Sequence, residues 1–133
     1  MYTVYLADDE QLIREGLAET IPWDSLGMNL IGTAEDGRQA LKEIRELKPD
    51  VVLTDIRMPY LDGLDLIGKI REDHPSCRVV IITGHGEFTY AQSAIQLGVS
   101  DFVLKPIDVT GLCRTLGKLT QELDSEKHQQ NEG

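Results

Sequence analysis

The sequence predicts an α/β fold: a doubly wound open sheet of five parallel strands with helices on both faces. Two observations carry this. Short apolar runs rich in β-branched residues alternate with helical patterns five times along 133 residues. The runs are apolar throughout rather than every second residue, which suits strands buried on both faces, as parallel strands are. Repeated strand–helix alternation in turn implies right-handed crossovers within a single sheet.

The first run is Val4-Tyr5-Leu6-Ala7, followed by a helix expected from about Glu10 to Thr20 and stopped near Pro22. Trp23 then lies in a long connection, Ile21 to Met28, where it can staple the first helix to its loop. The second run is Leu30-Ile31-Gly32-Thr33-Ala34. Asp36 and Gln39 form a capping box for a helix with the stripe Ala40, Leu41, Ile44 and Leu47. The third run, Val51-Val52-Leu53-Thr54, precedes the stripe Leu64, Ile67, Ile70 and a stop at His74-Pro75. The fourth, Val79-Val80-Ile81-Ile82-Thr83, precedes Tyr90, Ala91, Ala94, Ile95 and a stop at Leu97-Gly98. The fifth is Phe102-Val103-Leu104. A last helix, from about Val109, carries Leu112, Leu116, Leu119 and Leu123. It either packs on the sheet or begins a coiled connector to another module. Residues 124–133 are polar and are expected to fray as a tail or linker, which leaves one domain over residues 1–123.

Composition narrows the function. At 41% apolar and 27% charged, the chain has the balance of a soluble globular domain. Thirteen basic residues against 23 acidic ones give a net charge of −10. Such a body repels phosphate backbones and anionic lipid, so neither nucleic acid nor membrane is expected to bind this chain directly. Cys77 and Cys113 stand far apart with no metal-ligand spacing, and are expected as two buried thiols in a reducing compartment. No apolar run is long enough for a membrane helix, and no signal-peptide pattern opens the chain. A cytoplasmic location is expected.

In an open parallel sheet the functional crevice lies at the carboxyl ends of the strands. There the first strand runs into Asp8-Asp9-Glu10, the third into Asp55, the fourth into Thr83 and the fifth into Lys105-Pro106. Each residue alone has an ordinary explanation, since an Asp at a strand end often caps the next helix. The set does not. Two unit charges about 4 Å apart repel by roughly 4 kcal/mol at an effective dielectric near 20. Either a carboxylate holds a proton or a cation sits among them, and carboxylates without His or Cys favour Mg²⁺ or a similar ion. The Gly84-His85-Gly86 pattern follows the wrong strand for a dinucleotide fingerprint and lacks its third glycine. A carboxylate, a divalent cation, a lysine and a threonine together suit phosphoryl transfer onto the carboxylate.

These residues carry a resemblance. The chain resembles the receiver domain of bacterial two-component response regulators over roughly residues 2–122. The motifs are Leu6-Ala7-Asp8-Asp9-Glu10, Leu53-Thr54-Asp55-Ile56-Arg57-Met58-Pro59, Asp62-Gly63, Ile82-Thr83-Gly84 and Lys105-Pro106. The resemblance implies a flavodoxin-like sheet of order 2-1-3-4-5. It implies Asp55 as phospho-acceptor, with Asp9 and Asp55 as direct Mg²⁺ ligands. Asp8 would act through water, and the backbone carbonyl of Arg57 would complete the protein's share. It further implies that Lys105, followed by a cis peptide to Pro106, pairs with the phosphoryl group. Thr83 would be the switch hydroxyl, Phe102 the aromatic partner that turns inward, and Gly84 the residue that leaves room. Phe102 stands where Tyr is commoner, so no phenol hydroxyl can signal from that position.

The implied partner is a sensor histidine kinase, with a homodimer through helix 4, strand 5 and helix 5 as a further expectation. The implied catalysis is limited to the chain's own phosphorylation and dephosphorylation, in which His85 is a candidate for tuning the lifetime. The long connection around Trp23 and the stretch from Thr83 to Ala91 look like receivers joined to an arabinose-regulator-type helix-turn-helix domain, which would bind DNA. Two competing classes are weaker. A haloacid-dehalogenase-type phosphatase wants a second Asp two residues after the nucleophile, and Arg57 occupies that position. A stand-alone receiver or an unphosphorylated interaction module is the other. Pseudo-receivers of that kind usually lose an acidic residue, the threonine or the lysine, all of which are present here.

Overall fold

The computed structural model describes residues 1–132, the side chains of residues 85, 88 and 130–132 excepted. The strands are β1 (Tyr2–Ala7), β2 (Met28–Ala34), β3 (Val51–Asp55), β4 (Arg78–Thr83) and β5 (Asp101–Leu104). The helices are α1 (Gln11–Thr20), α2 (Gly37–Leu47), α3 (Gly63–Asp73), α4 (Phe88–Gln96) and α5 (Val109–Glu132), with short 3₁₀ turns at Asp24–Leu26 and His85–Glu87. All five strands are parallel, in the order β2-β1-β3-β4-β5. The expected fold class and strand order are both borne out.

The central strands are apolar throughout because both faces are covered. On one face Tyr5, Ala7, Val52, Val79 and Ile81 pack with Ala40 and Ile44 of α2, Leu66, Ile67 and Ile70 of α3, and Ala91 and Ala94 of α4. On the other, Val4, Leu6, Val51, Leu53, Val80 and Ile82 pack with Leu17 of α1 and Leu112, Leu116 and Leu119 of α5. The leucine stripe of the last helix is therefore sheet packing. Trp23 is buried in the same cluster as Leu17 and Met28, so it ties α1 to the start of β2.

Five expectations need correction. β5 is not buried on both faces: Phe102 and Leu104 are 37% and 57% exposed. It is an edge strand, and α4 packs on α3 and β4 rather than across it. For the same reason only Ala91 and Ala94 of the α4 stripe are buried, while Tyr90 and Ile95 face outward. In α2, Ala40 and Ile44 are buried but Leu47, in the last turn, is exposed. Cys77 is a buried thiol, whereas Cys113 is only partly covered. The polar tail does not dissolve after Leu123; α5 runs on to Glu132. Residues 124–132 contain no Gly or Pro and are rich in Glu, Lys and Gln, which favour helix. Two anchors hold the extension to the sheet: the Tyr2 hydroxyl donates to Asp124 Oδ1 at 2.5 Å, and Arg78 pairs with Glu126.

The capping box is half made. Asp36 Oδ1 accepts from the Gln39 backbone N–H at 2.8 Å, but the Gln39 side chain donates to Glu43 instead of turning back. Asp36→Ala is accordingly expected to cost about 1 kcal/mol in urea denaturation, the usual worth of an N-cap acceptor.

Candidate functional site

Parallel registration brings the strand ends level. Ala7 stands beside Thr54, Asp55 beside Ile82, and Thr83 beside Leu104, so the residues after each of these strands share one edge of the sheet. Asp8 is fully buried and Asp55 is 3% exposed. Asp8, Asp9, Glu10 and Asp55 each bring a carboxylate oxygen within 4.8 Å of the others. Lys105 Nζ reaches into this cluster from the end of β5, 2.9 Å from Glu10 Oε1, 3.0 Å from Asp55 Oδ2 and 3.5 Å from Asp8 Oδ2. The Lys105–Pro106 peptide is cis, as the resemblance implied.

Local structure holds these groups in place. Asp8 Oδ1 accepts the Glu10 backbone N–H at 2.9 Å, and the Asp8 carbonyl accepts from Arg14 at 2.8 Å. The Arg57 backbone N–H points at Asp55 Oδ1 from 3.4 Å. Burial, reinforced by the neighbouring Asp8 charge, pushes the Asp55 carboxyl up to about 7 against the pull of Lys105. Burial likewise raises Asp8, against the Glu10 amide and Lys105. Burial opposes the Lys105 ammonium, yet hydrogen bonds to Glu10 and Asp55 hold its pKa above the usual lysine range.

The donor set fits a hard divalent cation. Asp8 Oδ2 is buried and, among the described residues, has no hydrogen-bond donor beyond the ion-pair contact of Lys105 at 3.5 Å, in a cluster of four carboxylates that one ammonium does not neutralise. The arrangement offers oxygen ligands alone, the preference of Mg²⁺.

Thr83 is buried at the end of β4, and its hydroxyl lies 3.3 Å from Glu87 Oε2 and from the Gly84 carbonyl oxygen. Space beside Gly84 is open, since an added Cβ would meet nothing within 4 Å. Phe102 does not point into the core; it lines a cleft of about 430 Å³ between α4 and β5 with Thr83, Ala91, Ile95 and Leu104. The His85 side chain lies outside the described residues. Two acids were not singled out individually from sequence. Glu10 belongs to the cluster and holds Lys105, which its place directly after Asp8-Asp9 could have signalled. Glu87, four residues past Thr83, carried no signal beyond being an acid at a helix start.

An open parallel sheet with this charge set at its carboxyl edge defines a receiver-type signalling domain. The chain belongs to the response regulator receiver domain family, which matches residues 4–116. Among curated proteins it is 42% identical over 123 residues to the transcriptional regulatory protein YesN of Bacillus subtilis (strain 168), covering 92% of this chain and 33% of that one. It is 42% identical over 129 residues to the transcriptional regulatory protein HptR of Staphylococcus aureus (strain NCTC 8325), covering 97% of this chain and 50% of that one. The REC domain of AraT, a response regulator from Geobacillus stearothermophilus, superposes with a TM-score of 0.92 at 42% identity, covering 95% of this chain and 98% of that one. The chain thus spans a third to a half of the length of these curated relatives. No helix among the described residues is long and apolar enough to cross a membrane.

Proposed function

We propose that Asp55 accepts a phosphoryl group from the phosphohistidine of a sensor histidine kinase, and that the modified domain controls a DNA-binding module in a longer cytoplasmic regulator. The observation that carries this reading is Lys105 Nζ, held between Asp55, Glu10 and Asp8 at the one edge where four strand ends meet. A carboxylate oxygen of Asp55 bonds to phosphorus as the P–N bond to the kinase histidine breaks, and the imidazole leaves with the electron pair. The transfer adds about −1.5 to −2 charge to an acidic site. Lys105 offsets part of that charge and pairs with the phosphoryl oxygens, and the Thr83 hydroxyl donates to one of them. Mg²⁺, held when bound by Asp8, Asp9, Asp55 and the Arg57 carbonyl, supplies further positive charge against those oxygens.

Drawing Thr83 inward shifts residues 84–89, lets Phe102 turn into the cleft behind it, and changes the face of α4, β5 and α5. The population moves between two packings because phosphate makes contacts in only one of them. Exposed Tyr90, Ile95, Phe102 and Leu104 give that face an apolar surface suited to a second copy of the chain. With acetyl phosphate and Mg²⁺, the chain is expected to gain a single acid-stable, base-labile phosphoryl adduct, absent from Asp55→Asn. An adduct that persists in Asp55→Asn would overturn the assignment.

A further inference from the structure

One carboxylate oxygen lies within hydrogen-bond reach of both polar donors at the end of β4, sharing the single Thr83 hydroxyl proton with the Gly84 carbonyl oxygen, which is equally near at 3.3 Å. Glu87 Oε2 lies 3.3 Å from the Thr83 hydroxyl and 3.1 Å from the Gly84 backbone N–H. Its own environment does little to explain the charge. Glu87 is only about a fifth exposed, stands at an edge already crowded with acid, and has Arg57 Nε as its sole ion-pair partner among the described residues, at 3.9 Å. Arg57 is in turn held by α4: its guanidinium lies 4.9 Å from the centre of the Tyr90 ring and donates to the Tyr90 hydroxyl at 3.1 Å. The chain of contacts Thr83–Glu87–Arg57–Tyr90 therefore joins the end of β4, the loop after Asp55 and the first turn of α4.

We propose that Glu87 is a positioning residue that stands in for the phosphoryl anion while Asp55 is unmodified. It satisfies the Thr83 hydroxyl and the Gly84 amide, keeps the loop at residues 84–87 in its present form, and must be displaced before the phosphoryl group can take the same donors. This rests on the reading of Asp55 as phospho-acceptor and adds a competitor to it. A group that holds the binding-competent donors lowers apparent affinity by the fraction of molecules in which they are free. Hydrogen bonds to a charged acceptor are strong enough to make that fraction small. A turn-stabilising role alone, through the Glu87 N–H to Gly84 carbonyl bond of 3.2 Å, would leave anion affinity unchanged.

The test is titration with beryllofluoride, a phosphoryl mimic, in Mg²⁺, followed by ¹⁹F NMR, with folding of each variant checked by circular dichroism. Glu87→Ala is expected to tighten binding about tenfold, and Glu87→Gln less, because a neutral amide oxygen still accepts but more weakly. In a Thr83→Ala background the gain from Glu87→Ala is expected to shrink to about threefold or less, since one of the two captured donors is gone. No gain in Glu87→Ala, or an undiminished gain in the Thr83→Ala background, would overturn the proposal; the latter would mark simple relief of charge repulsion. Equal gains from Gln and Ala would overturn it for the same reason. If the parent binds no beryllofluoride and Asp55 takes no label, the phospho-acceptor reading itself fails and the proposal falls with it.

Discussion

Gly63→Ala is expected to destabilise the domain by about 2 kcal/mol, whereas Gly68→Ala in the same helix is expected to stabilise it by about 0.5–1 kcal/mol. Helix propensity favours Ala over Gly by about 1 kcal/mol at Gly68, inside the helix, and bears less on Gly63, the first residue after the cap. Space decides between them. At Gly68 an added Cβ meets nothing within 4 Å. At Gly63 it would collide with the Asp55 carbonyl oxygen and stand 2.8 Å from Ile56 Cα and 3.1 Å from the Asp55 carbonyl carbon. These are backbone atoms, so no side chain can rotate away. The Gly63 N–H also donates to the Ile56 carbonyl at 2.8 Å, and the Asp62 side chain caps the helix by accepting from Asp65 at 2.9 Å. The start of α3 is therefore pinned against the turn that carries Asp55, and relief must come from moving that turn. Folded Gly63→Ala protein is accordingly expected to label Asp55 more slowly than the parent. Urea denaturation of the two variants measures the contrast, and a Gly63→Ala protein as stable as Gly68→Ala would refute the close approach.

Asp62-Gly63 shows what the sequence could and could not reveal. The dipeptide was legible as part of a motif, but the reason for its glycine is an inter-segment distance that exists only once β3 and α3 are folded. The inner strands were legible because burial on both faces forces a continuous apolar run, as in Val79 to Ile82. Phe102-Val103-Leu104 looks the same in one dimension, yet two of its three side chains face an uncovered edge. Which strand lies at an edge is a property of topology, and local composition does not encode it. The helical course of the chain after Leu123 is not legible locally for a related reason: its anchors, Tyr2 and Arg78, lie far away in sequence. At the site, Asp8, Asp9, Asp55, Thr83 and Lys105 were legible because strand ends converge in any sheet of this kind. Glu87 was not, because an acid at a helix start ordinarily needs no explanation beyond the helix dipole.

The acidic cluster is expected to make the metal-free protein lose stability as pH rises, opposite to the usual behaviour of paired carboxylates. The sign follows from the direction of the shifts. Asp55 is raised to about 7 and Asp8 is raised as well, against about 3.9 for an unfolded Asp. Between those limits the folded state binds more protons than the unfolded state, so stability falls with increasing pH. The contribution is fully present below pH about 4 and is lost as pH passes about 7. A divalent cation held by the folded cluster would replace the missing protons, so on the proposed reading Mg²⁺ is expected to stabilise far more at pH 8 than at pH 5. Asp55→Asn removes one buried charge while keeping the shape. Without metal at pH 8 that variant is expected to melt several degrees above the parent, with a flatter pH dependence and most of the Mg²⁺ gain gone. Thermal melts of the two proteins at both pH values, with and without Mg²⁺, measure all three effects. A parent-minus-variant difference that does not change with pH, or a Mg²⁺ gain equal in both proteins, would show that Asp55 carries neither the strain nor the ion.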